Sequence, residues 1–277
     1  MEISSERGAV ELRETGYIER MVESYTPSGV PSSFRSTDTP ADVRLPQLVE
    51  EALASESEPS PSELSAFQAI LGSLLYCATH TRPDVAYAVA LLCRVMSRPT
   101  PALHQAALRV LYYLYTHRHI GLRYEPCRSP MGGYSDSDWA IRHSTTGFVF
   151  NYCSAAISWA SKKQPTISLS SCETELMAAS EAAKEAIYLR SFLTELGQSD
   201  SDPTRLAVDN QAARDLAYNP EHHSRTKHIK RRHFFVRRRV ESLEISVPFV
   251  RSEQNIWPIS LQSRFPARLS FAFAMPS

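Results

Sequence analysis

Three acidic signatures follow one another along the chain: Tyr134-Ser135-Asp136-Ser137-Asp138, Ser170-Ser171-Cys172-Glu173-Thr174-Glu175 and Val208-Asp209-Asn210. The first and third end apolar stretches, and the second opens a helical pattern. Bringing such carboxylates together is costly, because like charges a few ångströms apart repel. A divalent cation removes that cost and turns the cluster into a site, since hard cations take oxygen ligands. Asp136, Glu175 and Asp209 are therefore the candidate metal ligands. Each has an ordinary alternative. Asp136 can be a strand-end turn residue, Asp209 a helix N-cap, and Glu175 a first-turn acid favoured by the helix dipole. Asp138 can reach the cluster or support a turn, and Glu173 suits a capping box with Ser170.

Those carboxylates need a frame. Residues 133–139, 146–152 and 155–160 are short runs rich in β-branched and aromatic residues and read as antiparallel strands. Ser170 with Glu173 opens a helix that runs to about Glu195 and closes at Gly197. A strand at 205–208, helices at 210–218 and 228–242 and a strand at 244–250 follow. This order predicts an α/β fold, a mixed sheet flanked by helices. Upstream, residues 63–79, 83–97 and 101–117 read as three helices, with Thr81-Arg82-Pro83-Asp84 between the first two. Residues 1–62 are acidic and read mostly as linker, with 26–62 rich in Ser, Pro and Glu and one short amphipathic stretch at 17–22.

At 43% apolar and 22% charged, with zero net charge, the 277 residues are ordinary globular material. The zero conceals an asymmetry. Residues 1–65 hold 13 acidic and 5 basic residues, whereas 221–239 hold 8 Lys or Arg and one Glu. Arg225, Lys227, His228, Lys230, Arg231 and Arg232 head that basic band, which suits phosphate contact with a duplex or a solvated helix face. Lys162 and Lys163 are further candidates for nucleic-acid contact, while Trp159, Phe234 and Phe235 read as core anchors. Five cysteines without a CxxC pair argue against zinc. With no signal peptide and no apolar run of spanning length, the expectation is an intracellular protein, cytoplasmic or nuclear, off the membrane.

Several motifs stand in a fixed order. They are Ile70-Leu71-Gly72-Ser73-Leu74-Leu75-Tyr76, Thr81-Arg82-Pro83-Asp84-Val85-Ala86-Tyr87, Gly121-Leu122-Arg123-Tyr124 and Ser135-Asp136-Ser137-Asp138-Trp139-Ala140. Ser144-Thr145-Thr146-Gly147-Phe148-Val149-Phe150, Ile157-Ser158-Trp159, Ser161-Lys162-Lys163-Gln164 and Leu169-Ser170-Ser171 follow. Asp209-Asn210 and His223-Ser224-Arg225-Thr226-Lys227-His228-Ile229 complete the series. Over roughly residues 66–254 the chain resembles the Pol polyproteins of Ty1/copia-type long-terminal-repeat retrotransposons, at the end of reverse transcriptase and the ribonuclease H domain behind it.

The resemblance implies four segments: a reverse transcriptase remnant at 1–62, its helical end at 63–126, a ribonuclease H-like domain at 131–254 and a tail at 257–277. It also implies that Asp136, Glu175 and Asp209 are catalytic, holding Mg²⁺ for two-metal hydrolysis of RNA in RNA–DNA hybrids. The expected partner is such a hybrid or another duplex. His228 has two readings, a role in product release or proton transfer and a structural histidine.

Departures from the family pattern qualify this. The polymerase's metal-binding Asp pair is not in the chain, so DNA synthesis is not expected. The turn after Trp139-Ala140 is shorter than the family's, and Lys230 stands where the family usually has Asp. A fourth catalytic Asp is missing where Trp257-Pro258 stands. Impaired hydrolysis is the expectation, and a catalytically dead remnant that binds nucleic acid, or has no function, is the alternative. Residues 257–265 can be encoded so that a shifted frame reads Ala-Asp-Ile-Ser-Thr-Lys-Pro-Leu, the family motif carrying that Asp. The tail, which has no helical or strand period, is thus expected to be an out-of-frame product without metal ligands.

Overall fold

The structure, a computed structural model, describes residues 1–31, 39–56, 58–126, 129–138, 144–168, 170–198, 201–218 and 227–251, without the side chains of 227–231 and 233. The tail at 257–277, the turn after Trp139-Ala140 and Arg225 lie outside the described residues. The chain forms two units, one ending at Pro126 and one following it.

The first unit opens with a hairpin, β1 (Glu2–Glu6) and β2 (Ala9–Arg13). Arg7 and Gly8 join the strands at φ of 51° and 85°. A two-residue hairpin loop with positive φ at both positions matches the right-handed strand twist, and glycine takes one of them without strain. The helices α1 (Thr15–Tyr25), α2 (Leu45–Ala54), α3 (Pro61–His80), α4 (Ala86–Cys93) and α5 (Pro101–Thr116) follow, and β3 (Leu122–Tyr124) pairs with β2. Residues 1–62, read as mostly linker, therefore hold two strands and two helices. The strand signal was hidden because β1 is exposed along its whole length and shows no alternation. In α2, the buried Leu45, Val49 and Ala52 stand in a Pro- and Glu-rich context.

α3 starts at Pro61 because Ser60 and Glu63 form a reciprocal capping box. Glu63 N donates to Ser60 Oγ at 3.3 Å, and Ser60 N donates to Glu63 Oε2 at 3.0 Å. After α3 a single 3₁₀ turn, Pro83–Val85, leads into α4. Arg82 is 1% exposed. Its guanidinium donates to Asp84 at 2.9 and 2.6 Å and to the His117 carbonyl at 3.0 Å. The core of this unit holds Phe67, Leu71, Leu74, Val85, Leu92, Leu103, Val110 and Leu114, all at 0% exposure.

The second unit contains β4 (Gly132–Asp138), β5 (Thr145–Tyr152), β6 (Ala155–Lys163), α6 (Ser171–Glu195), β7 (Thr204–Ala207), α7 (Gln211–Tyr218), α8 (Lys227–Glu241) and β8 (Ile245–Ser246). The sheet order is β6-β5-β4-β7-β8, with an antiparallel meander of β4, β5 and β6. β7 lies parallel to β4, and β8 parallel to β7. This mixed five-stranded sheet with flanking helices is the ribonuclease H-like α/β arrangement expected from the sequence. Ala179, Ala182, Ala183 and Ala186 face Phe148, Phe150 and Leu206 in one core, so α6 lies close against the sheet. Gly133 is required by the same packing, since a Cβ there would meet the Phe150 ring at 2.4 Å. Gly197, at φ 71°, ends α6 as the left-handed C′ residue.

Two expectations change, and a third, Phe235 as a core anchor, holds in part because that ring packs against the core. Trp159 is half-buried on β6, an edge strand of the sheet among the described residues. Phe234 is 51% exposed, and the anchor of α8 is Val236 at 0%. Phe235 is half-buried with the Arg239 guanidinium 5.3 Å from its ring centroid. Among the described residues no helix is long and apolar enough to cross a membrane.

Candidate metal centre

The site is built where β7 ends alongside the middle of β4. Tyr134 is opposite Ala207 in the parallel register. Two residues further on, that register brings Asp136 level with Asp209, on one side of the pleat. Ser170 Oγ accepts from Glu173 N at 3.2 Å, which fixes the start of α6, and Glu175 follows in its first turns. One ligand oxygen from each of Asp136, Glu175 and Asp209 lies within 4.8 Å of the other two. Asp136 and Glu175 are 4% and 6% exposed, and Asp209 is half-buried.

The ordinary alternatives for these residues are displaced. Asp136 lies inside a seven-residue strand, not in a turn. The cap of α7 is Asn210, whose Oδ1 accepts from Ala213 N at 3.0 Å. Glu175 is turned inward, where Ser137 donates to its Oε1 twice, from N at 3.2 Å and from Oγ at 2.7 Å. Asp138 supports the hairpin, accepting from the Thr145 backbone across the β4–β5 pair. Ser137 was legible only as a polar residue between two acids, and its grip on Glu175 needed the fold to be seen.

Glu175 Oε2 is buried and has no hydrogen-bond partner. Burial, then the charge of Asp136 and further that of Asp209, push the Glu175 carboxyl up to about 8, against the lowering effect of the Ser137 bonds. A buried acceptor left without a donor costs roughly 1–3 kcal/mol. Three convergent carboxylates with one such oxygen form an all-oxygen donor set, which fits a hard divalent cation. The neighbouring Cys172 thiol is also pushed up, by burial first and then by Glu175 and Glu173, so it is a poor nucleophile.

The nucleic-acid candidates divide. Lys162 and Lys163 are exposed at the end of β6. They pair with Thr146 and Thr145, which pair in turn with Ser137 and Asp138. The two lysines are thus level with the carboxylates and two strands away, roughly 10 Å at the usual strand spacing. Arg232 is half-buried on α8, and the side chains of Lys227, His228, Lys230 and Arg231 lie outside the described residues. Further along, the band is partly neutralised: Arg237 pairs with Glu241 at 2.7 Å and Arg239 with Glu244 at 2.9 Å.

No protein-family model matches the chain. It is 32% identical over 248 residues to the Retrovirus-related Pol polyprotein from transposon TNT 1-94 of Nicotiana tabacum, a match covering 88% of this chain and 18% of that protein. It is 36% identical over 203 residues to the Retrovirus-related Pol polyprotein from transposon RE2 of Arabidopsis thaliana, covering 72% and 14%. The chain therefore spans less than a fifth of the length of these relatives. Among solved structures, RNase H1 from the halophilic archaeon Halobacterium salinarum NRC-1 aligns with a TM-score of 0.33 at 13% identity, over 45% of this chain and 88% of that one.

Proposed function

Given that the chain belongs to the retrovirus-related Pol polyproteins of Ty1/copia-type transposons, we propose that its second unit is a ribonuclease H domain directed at the RNA strand of RNA–DNA hybrids, with impaired hydrolysis. The observation that carries this is the convergence of Asp136, Glu175 and Asp209 within 4.8 Å, where β7 ends beside its parallel neighbour β4. When bound there, a pair of divalent cations, Mg²⁺ by the hardness of the donors, would activate water and stabilise a leaving 3′-oxygen. Asp136 and Asp209 supply charged oxygens to such ions. Glu175 would hold such an ion through Oε2, which has no hydrogen-bond partner, as a deprotonated carboxylate, while Ser137 holds Oε1. Lys162 and Lys163 offer the hybrid backbone a positive rail at the same level of the sheet.

Impairment follows from ligand count. Among the described residues the cluster has three members, and the sequence carries Trp257-Pro258 where the family's fourth Asp belongs. A second cation held by fewer ligands is bound weakly, and lost ligand shells remove most activity. The test is cleavage of an end-labelled RNA–DNA hybrid in Mg²⁺, beside metal binding measured by calorimetry. We expect cleavage near background with divalent binding retained. Robust cleavage that disappears in Asp209→Ala would overturn the impairment. Absence of any divalent binding would overturn the site and favour the alternative, a catalytically dead remnant.

A further inference from the structure

Gln164 follows directly on Lys163, where β6 ends, and it is 2% exposed. A buried amide is tolerated when its donors and acceptor are matched, and here all are. Its Nε2 donates to Thr146 Oγ1 at 2.9 Å and to the Thr174 carbonyl at 3.0 Å. Its Oε1 accepts from Ser168 Oγ at 3.3 Å, and its backbone N donates to the Ser144 carbonyl at 2.7 Å. One side chain thus ties the start of β5 to the first turn of α6.

Its two Nε2 partners give this tie its meaning. Thr174 immediately precedes Glu175. Thr146 is paired across the sheet with Ser137, the residue that holds Glu175 Oε1. The bonds close a ring: Gln164 to Thr146, Thr146 through the β5–β4 ladder to Ser137, Ser137 to Glu175, and Thr174 back to Gln164. Glu175 is the ligand that comes from the helix, whereas Asp136 and Asp209 come from adjoining strands. The distance between helix start and sheet therefore decides whether three carboxylates meet.

We infer that Gln164 is a positioning residue of the metal centre, fixing the first turn of α6 against β5 so that Glu175 stands within ligand reach of Asp136 and Asp209. This rests on the proposal that the three carboxylates bind a divalent ion. Gln164 itself touches no reacting atom, so its effect is read first in metal affinity.

The experiment measures Mn²⁺ binding to the full chain by electron paramagnetic resonance, with thermal unfolding recorded on the same samples in EDTA. Gln164→Met keeps the volume and removes all amide bonds. It should weaken Mn²⁺ binding about 10–100-fold, the usual effect of losing a group that orients a ligand. Leu189→Ala, a core change far along α6, serves as the stability control and should leave Mn²⁺ affinity unchanged. A Gln164→Met protein that folds and binds less than about fivefold more weakly, or no more weakly than Leu189→Ala, overturns the inference. If Gln164→Met does not fold, Thr146→Val decides, since it cuts only one arm of the ring. A loss of about fivefold or more supports the positioning role, and a smaller one overturns it. A parent chain that binds no Mn²⁺ overturns the metal centre itself, and the inference with it, before any variant is made.

Discussion

The raised Glu175 carboxyl makes stability a function of pH and metal together. In EDTA, the folded chain holds the Glu175 proton up to about 8, whereas an ordinary glutamate releases it near 4.5. Between those values the folded state binds more protons than the unfolded one, so stability falls as pH rises through the window. At about 1.4 kcal/mol per pH unit, the whole window is worth on the order of 5 kcal/mol. Glu175→Gln removes the titration while its amide oxygen can still accept from Ser137. Near the lower edge of the window the variant and the parent should unfold at similar urea concentrations. Above about pH 8 the variant should be the more stable by a few kcal/mol in EDTA. Divalent metal reverses the comparison in the parent, because binding needs the deprotonated carboxylate and so strengthens with pH up to about 8. The assay is urea unfolding followed by circular dichroism across this pH range, with and without Mg²⁺. Parent and variant midpoints that run parallel through the window in EDTA would refute the raising of the Glu175 carboxyl by burial and by its two neighbours.

Other perturbations test other parts of the fold. Asp84→Ala leaves the buried Arg82 guanidinium with the His117 carbonyl and the Tyr113 ring but no counter-charge from Asp84, and should cost about 3–5 kcal/mol in urea unfolding; a loss under about 1 kcal/mol means those remaining contacts suffice. Gly133→Ala drives a methyl into the Phe150 ring and should cost at least about 1–3 kcal/mol, with Phe150→Leu restoring part of it. A neutral result would mean that the ring can move aside. Replacing Lys162, Lys163 and Arg232 with Ala should flatten the salt dependence of duplex binding by about 0.9 per lost phosphate contact. An unchanged slope would mean that these side chains are a solvated face.

Much of the second unit was legible because its signals are local. An aromatic residue in β4 and the β-branched and aromatic residues of β5 marked those strands, and Ser170 and Gly197 marked the two ends of α6. The three carboxylates were legible as a set because each stands near the end or start of an apolar or helical pattern in the sequence, although Asp136 proves to lie inside β4. The helices α3 and α5 were readable from their apolar stripes, although the Ser60–Glu63 capping box that starts α3 was passed over. What escaped depends on partners distant in sequence. β1 and β2 have sheet partners but little burial to leave a pattern. Phe234 and Trp159 carry core-like side chains at positions the packing leaves partly open. Gln164 has no signature in a polar run, and its role depends on where Thr146 and Thr174 come to lie.

The parallel pairing of Gly132 with Arg205 also sets an order of events. The meander of β4, β5 and β6 joins neighbours in sequence, and such contacts close quickly. The β4–β7 pairing must wait for α6 to be made and to cross over, a long loop closure that slows folding. Asp209 reaches Asp136 only after that step. During synthesis, a nascent chain that has not yet emerged past β7 can hold a hairpin and a helix but no chelating centre. Divalent metal therefore cannot template the early sheet. It can only bind the finished topology and, by mass action, slow its loss.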